Sequence, residues 1–291
     1  MVRERRKPHG VLVCDFALAW LQGTHPEKFE RDMAENNIES VQETIATACR
    51  ILGFMGLVRE TTGHVSARLD DGRMLIRCRG KDEAGVFFTN AQAIRRVDFD
   101  GKNLDHAGEY EAPTELPIHG EIYRARPDVM AVVHAHPRAS LICTLLGLEL
   151  KPIFGAFDPN AMTLAVAGIP IFPRSILIRE RAMGAELAAT LGYKPICILR
   201  GHGIVTTGAS VQEATIRAIQ LETLASITLE IAKAGGTPNA ISPDDQEYFR
   251  KLRETQDAKA QAHGADVFQW TWRHYIKLMA AGERRGSGVV D

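Results

Sequence analysis

The spacing of apolar and polar positions changes several times along this chain, and each change marks an element. The densest apolar run is 129–137, Val-Met-Ala-Val-Val-His-Ala-His-Pro, whose first five residues carry no charge. It predicts a buried strand stopped by Pro137, with His134 and His136 two residues apart and so on one face. Upstream, Ser40 and Glu43 have the spacing of a capping box, and Val41, Ile45, Ala48, Ile51 and Leu52 follow at helical intervals. They predict a core helix that begins at Ser40 after a polar connector over 25–39 and stops near Gly53 or Gly56. Two alternating runs, 63–69 and 74–78, flank Asp70-Asp71-Gly72 and predict a hairpin. Residues 86–89 and 94–99 predict two more strands, the second closed by a turn at 100–103.

From Thr114 the pattern turns helical again. Thr114 is the expected cap of a helix reaching about Ala125, with Glu115 in a first turn where the helix dipole favours a carboxylate. Helices are predicted at 140–146 and 178–191, the latter ended by Gly192, and strands at 169–172, 194–200 and 204–207. A long helix runs from Val211 to about Ala234, and another starts at Ser242-Pro243. Phe268, Trp270, Trp272 and Tyr275 then fall within eight residues, too many aromatics for a solvated tail. Antiparallel strands mixed with flanking helices predict one layered α/β domain. The expected organisation is an N-terminal helical extension (1–37), a main domain (38–240) and a C-terminal helical arm (241–291) lying on that domain or on a neighbouring subunit.

Bulk properties narrow the partners. With 291 residues, 45% of them hydrophobic and 24% charged, and a net charge of -1, the chain has no field to recruit nucleic acid or a membrane surface. A small-molecule acidic substrate and copies of the chain itself are the partners expected. Basic residues at 3–7 and an apolar run over 11–20 imitate a signal peptide, but Asp15 interrupts the run and no small-residue cleavage site follows, so an amphipathic helix is expected there. Five scattered cysteines without a C-x-x-C pair point to reduced thiols in a cytoplasm, not to a disulfide framework or a thiolate zinc site.

The histidines carry the chemistry. His202 lies between Gly201 and Gly203 at a strand-to-strand corner, where the glycines free its imidazole to point into a cleft. It is the natural third member beside His134 and His136. Three neutral imidazoles suit one divalent zinc, manganese, cobalt or iron ion and leave positions open for substrate. Glu115 can serve as a fourth ligand or as the acid/base. His119, four residues on, shares its helix face and is expected as a packed histidine near the ligands.

Taken together, Gly63-His64-Val65-Ser66, Pro113-Thr114-Glu115, His119, Tyr123, Arg126-Pro127-Asp128, the His134/His136 strand and Gly201-His202-Gly203 resemble, in order and spacing, the class II aldolase/adducin superfamily. The resemblance implies a three-layer αβα sandwich with a central, mostly antiparallel sheet, usually a homotetramer. It also implies metal ligation by His134, His136 and His202, and catalysis by Glu115. The sugar-phosphate aldolases of the superfamily carry Gly-Asn-x-Ser and a hydroxyl-rich loop against a phosphate. Here His64 replaces the asparagine and the loop reads Ile76-Arg77-Cys78-Arg79-Gly80. Guanidinium forks match carboxylates, so a carboxylate substrate is expected. The chain is thus similar to the decarboxylase branch acting on hydroxylated aromatic or pyridine dicarboxylates. That likeness assigns catalysis to Glu115 and His64 and substrate contacts to Ser66, Arg77, Arg79 and Thr114. Aldol cleavage of a hydroxy-carbonyl compound, and oxygenation of a phenolic acid at non-haem iron, use similar parts and remain the alternatives.

Overall fold

The computed structural model describes residues 26–105, 109–263 and 267–282, so the helix expected over 11–20 lies outside the described residues. The chain divides into two units, Met1–Val41 and Gln42–Asp291. Helix α1 spans Pro26–Phe54. The predicted start at Ser40 is corrected: the helix runs unbroken through the supposed connector. Glu27, Lys28, Arg31, Met33, Ala34 and Glu35 are strong helix formers, Pro26 suits a first helical turn, and extending a helix costs less than nucleating one.

The second unit is built on a seven-stranded sheet in the order β4-β2-β1-β6-β9-β8-β7. Its strands are β1 (His64–Arg68), β2 (Arg73–Arg77), β4 (Ile94–Asp98), β6 (Ala131–Ala135), β7 (Ile171–Phe172), β8 (Ile196–Leu199) and β9 (Gly203–Gly208). Only the β7–β8 pair is parallel. The short β3 (Arg79–Gly80) and β5 (Tyr110–Glu111) pair apart from it. The hairpin holds, with Ser66 opposite Ile76, and β1 also pairs with β6 so that His64 faces His134 in register.

Helices cover both faces. On one lie α2 (Pro117–Ala125) and α5 (Arg181–Leu191), whose Ile118, Ile122, Leu187 and Leu191 share a core with Met74, Ile76, Val132, Cys197 and Val205 of the sheet. The other face meets α6 (Val211–Lys233), and Thr206 on β9 donates its hydroxyl to Ala214 O there. Against α6 pack α3 (Arg138–Leu146) and α4 (Pro159–Val166). The architecture is the expected αβα sandwich. Two further helices follow, α7 (Pro243–His263) and α8 (Val267–Ala280), and α8 lies on α6 with Trp272 and Leu278 buried.

Three local expectations are corrected. Residues 86–89 form a 3-10 turn, Val86–Phe88, closed by Thr89 Oγ1 donating to Val86 O, and Phe88 is exposed. Helix α2 begins only at Pro117; Thr114 and Glu115 lie in the turn before it and Thr114 caps nothing. Helix α5 begins at Arg181 instead of 178, because the Ile178 N–H is taken by Glu115 Oε1 at 2.8 Å.

Candidate metal and acid/base site

Strand periodicity puts Val132 and His134 on the α2 side of the sheet, with His64 and Ser66 beside them. His136 follows one residue beyond β6, and its Nε2 comes to 2.9 Å from His134 Nε2. The Gly201-His202-Gly203 corner reaches the same spot. Gly201 has φ +61°, and a β-carbon on Gly203 would meet Ala135 O at 2.3 Å, so neither position accepts a side chain without strain. The His202 ring centroid lies 5.0 Å from those of both His134 and His136.

Glu115 closes the cluster from the turn before α2. One carboxylate oxygen is tethered to the Ile178 N–H, and the other lies 3.6 Å from His134 Nε2 and 3.5 Å from His202 Nε2. One ligand atom from each of Glu115, His134, His136 and His202 falls within 4.8 Å of the others. Burial pushes two of the imidazoles toward neutrality, with His134 lowered and His136 brought down to about 3. Burial alone would raise Glu115, but the nearby imidazoles of His134 and His202 outweigh it and hold the carboxyl well below the usual range.

The donor set fits a divalent cation. His134 Nδ1 lies 3.0 Å from Ile204 O and donates to it, which leaves Nε2 with its lone pair turned to the cluster. Both ring nitrogens of His202 are buried without a hydrogen-bond partner among the described residues. An unsatisfied buried polar group costs about 1–3 kcal/mol, and an ion taking one of those lone pairs removes that cost. Neutral imidazoles with one carboxylate are the ligands expected of a borderline divalent ion.

The remaining residues singled out by sequence fall in different places. His64 borders the cluster, its ring 5.0 Å from that of His134. The Ser66 hydroxyl is engaged within the protein. The residue is fully buried, with its hydroxyl 2.6 Å from His119 Nδ1 and 2.7 Å from the Tyr123 hydroxyl. Arg77 is likewise engaged: it is buried, donates to Thr89 Oγ1, and is neutralised by Glu83, so it ties down the loop over 83–89. Arg79 keeps a buried Nε with no partner among the described residues, while its Nη2 lies 3.3 Å from Thr61 O. Thr114 is exposed beside Glu115.

Sequence reasoning missed the work of Tyr123 and understated that of His119. The signal was there: His64 and Ser66 share a strand face at i, i+2, while His119 and Tyr123 share a helix face at i, i+4. The four interlock.

A mostly antiparallel sheet between two helical layers, with histidines from one strand and one hairpin corner gathered about a carboxylate, defines a class of metal-site proteins. The chain belongs to the class II aldolase and adducin family, whose N-terminal domain matches residues 43–229. It is 43% identical over 207 residues to a 3,4-dihydroxyphthalate decarboxylase of Terrabacter sp. (strain DBF63), covering 70% of this chain and 86% of the relative. Against the 3,4-dihydroxyphthalate decarboxylase of Arthrobacter keyseri it is 40% identical over 243 residues, covering 82% and 94%. Among solved structures it resembles an aldolase II superfamily protein from Pseudomonas syringae, with a TM-score of 0.66 at 24% identity, covering 84% of this chain and 94% of that one. That likeness bears on the fold alone.

Proposed function

We propose that this chain is a divalent-metal-dependent lyase that decarboxylates a hydroxylated aromatic dicarboxylate of the 3,4-dihydroxyphthalate kind. The observation that carries the reading is the cluster of Glu115 with three imidazoles, in a chain 40–43% identical to decarboxylases of that name. His134, His136 and His202 would hold the ion, and zinc, manganese, cobalt and iron all suit them. When bound, the ion supplies Lewis acidity to oxygens of the substrate.

Glu115, ionised, takes the proton of the hydroxyl beside the departing carboxylate and returns it to the ring carbon that bears that carboxylate. The carbon–carbon bond then breaks, its electron pair returns to the ring, and carbon dioxide leaves. One proton has replaced one carboxylate on the ring. His64, buried at the edge of the cluster beside His134, would contact the substrate from there. Arg79, with an unspent Nε, answers the second carboxylate, and Thr114 lies within the same turn as Glu115.

The assembly we infer is a homotetramer in a reducing cytoplasm. Leu145 and Leu146 are 62% and 61% exposed, and a β-carbon on Gly201 would meet Leu145 Cδ2 at 3.5 Å, which sets apolar surface beside the His202 corner. A neighbouring subunit would cover it. Cys49, Cys78, Cys143 and Cys197 are free and buried, and no described helix is long and apolar enough to cross a membrane.

The test is to load the protein with zinc or manganese, incubate it with 3,4-dihydroxyphthalate and related hydroxylated dicarboxylates, and trap carbon dioxide. Release that stops when the metal is stripped supports the reading. Cleavage of a sugar phosphate, with no carbon dioxide from any of the acids, overturns it.

A further inference from the structure

A buried run of four side chains leads away from the cluster. The Tyr123 hydroxyl lies 2.7 Å from Ser66 Oγ, Ser66 Oγ 2.6 Å from His119 Nδ1, and His119 Nε2 2.7 Å from His64 Nδ1. None of the four is more than 3% exposed. The His64 ring also touches that of His134, so the run ends at the rim of the site.

Each member has one proton to give. Burial disfavours charge along the run, raising the Tyr123 phenol and lowering His119 to about 3, so the buried members are neutral near pH 7. Four protons must serve three contacts, and one is left over, on Tyr123, Ser66 or His64, since His119 has both ring nitrogens in contacts. If it were left on Tyr123 or on Ser66, a hydroxyl proton would be buried with no further acceptor among the described residues, and either arrangement is costly. The run therefore points one way. Tyr123 donates to Ser66, Ser66 to His119 Nδ1, and His119 Nε2–H to His64 Nδ1.

We propose that Tyr123, Ser66 and His119 are positioning residues that fix His64 as its Nε2–H tautomer, so that it meets the site as a hydrogen-bond donor for an anionic oxygen of the substrate. The choice of substrate oxygen rests on the decarboxylase reading; the tautomer does not. A donor at this point selects an acid over a neutral analogue, because a carboxylate oxygen gains a hydrogen bond there and a second donor would be left facing a donor.

The experiment uses the full chain, zinc-loaded and labelled with nitrogen-15 histidine. Imidazole nitrogen and proton correlations at pH 7.5 should show His64 with a protonated Nε2 and a bare Nδ1. A protonated Nδ1 overturns the proposal whatever reaction the enzyme runs. In Tyr123→Phe the proton count no longer fixes the direction, and the single His64 tautomer should give way to a mixture. Ser66→Ala should raise KM for the acid about tenfold, the loss of one charge-assisted hydrogen bond, with kcat changed less, and Ser66→Thr should restore it. An Nε2–H tautomer that persists unchanged in both Tyr123→Phe and Ser66→Ala also overturns the proposal. Should the tautomer behave as stated while no aromatic acid is decarboxylated, the reaction assignment fails and the positioning run stands.

Discussion

His134 Nε2 stands 2.9 Å from His136 Nε2, a closeness that the two-residue strand period brings about. Because His134 spends Nδ1–H on Ile204 O, its Nε2 has only a lone pair to offer. Neutral imidazoles so placed are ready for a shared cation, and Glu115 Oε2 and the unspent nitrogens of His202 converge on the same point.

His202→Ala should lose most of the bound metal and all turnover while remaining folded, since its ring nitrogens make no hydrogen bond that the fold needs. Metal analysis after gel filtration and a circular dichroism spectrum check both halves. Full metal occupancy in the variant contradicts the three-histidine assignment.

Glu115→Gln retains an oxygen for the Ile178 N–H but removes the charge opposite His134 and His202. Metal affinity should fall by about tenfold or more, since even groups outside the ligand shell matter on that scale, and kcat should fall further because the base is gone. Competition with a chelator measures the first and carbon dioxide release the second.

Arg77 and Arg79 should separate. Arg79→Ala is expected to raise KM for an acidic substrate by about tenfold or more, corresponding to about 1.5–3 kcal/mol for a charge-assisted pair, with kcat nearly unchanged. Arg77→Ala leaves Glu83 without its partner and should lower the urea midpoint instead. If both variants shift only KM, the assignment of Arg77 to the scaffold is wrong.

Acid should weaken the metal-free fold in a defined window. Burial puts His119 and His136 at about 3, against about 6.5 in the unfolded chain, so between those values the unfolded state binds more protons. Stability is therefore highest above about pH 6.5 and falls as pH drops toward 3, by at most about 1.4 kcal/mol per pH unit for each histidine. Urea unfolding of stripped protein at one protomer concentration should give a lower midpoint at pH 5 than at pH 7. An equal midpoint argues that these rings are not buried neutral.

Truncation before Asp266 removes α8, whose Trp272 and Leu278 are buried on this chain while Trp270 is 61% exposed. We expect the truncated protein to lose tetramers or raise KM while keeping its metal. Sedimentation of the intact protein as an active monomer at micromolar concentration would defeat the proposed assembly.

What the sequence determined was local and periodic. The hairpin around Asp70-Asp71-Gly72, the His134 strand and the His202 corner were legible because alternation and glycine chemistry act over a few residues. The three histidines were legible as a set for the same reason. Tertiary structure decided what one-dimensional pattern does not encode, namely which polar groups meet. Arg77 and Arg79 look equivalent in sequence, yet Glu83 captures one and leaves the other an unspent nitrogen. Ser66 reads as a substrate contact until helix α2 sets His119 and Tyr123 against it. Glu115 reads as a first-turn carboxylate able to serve as ligand or acid/base, but what aims it is the Ile178 N–H, 63 residues away, which takes one of its oxygens and turns the other to the histidines. A buried polar group must find a partner, and only the packing of distant segments determines which one is within reach.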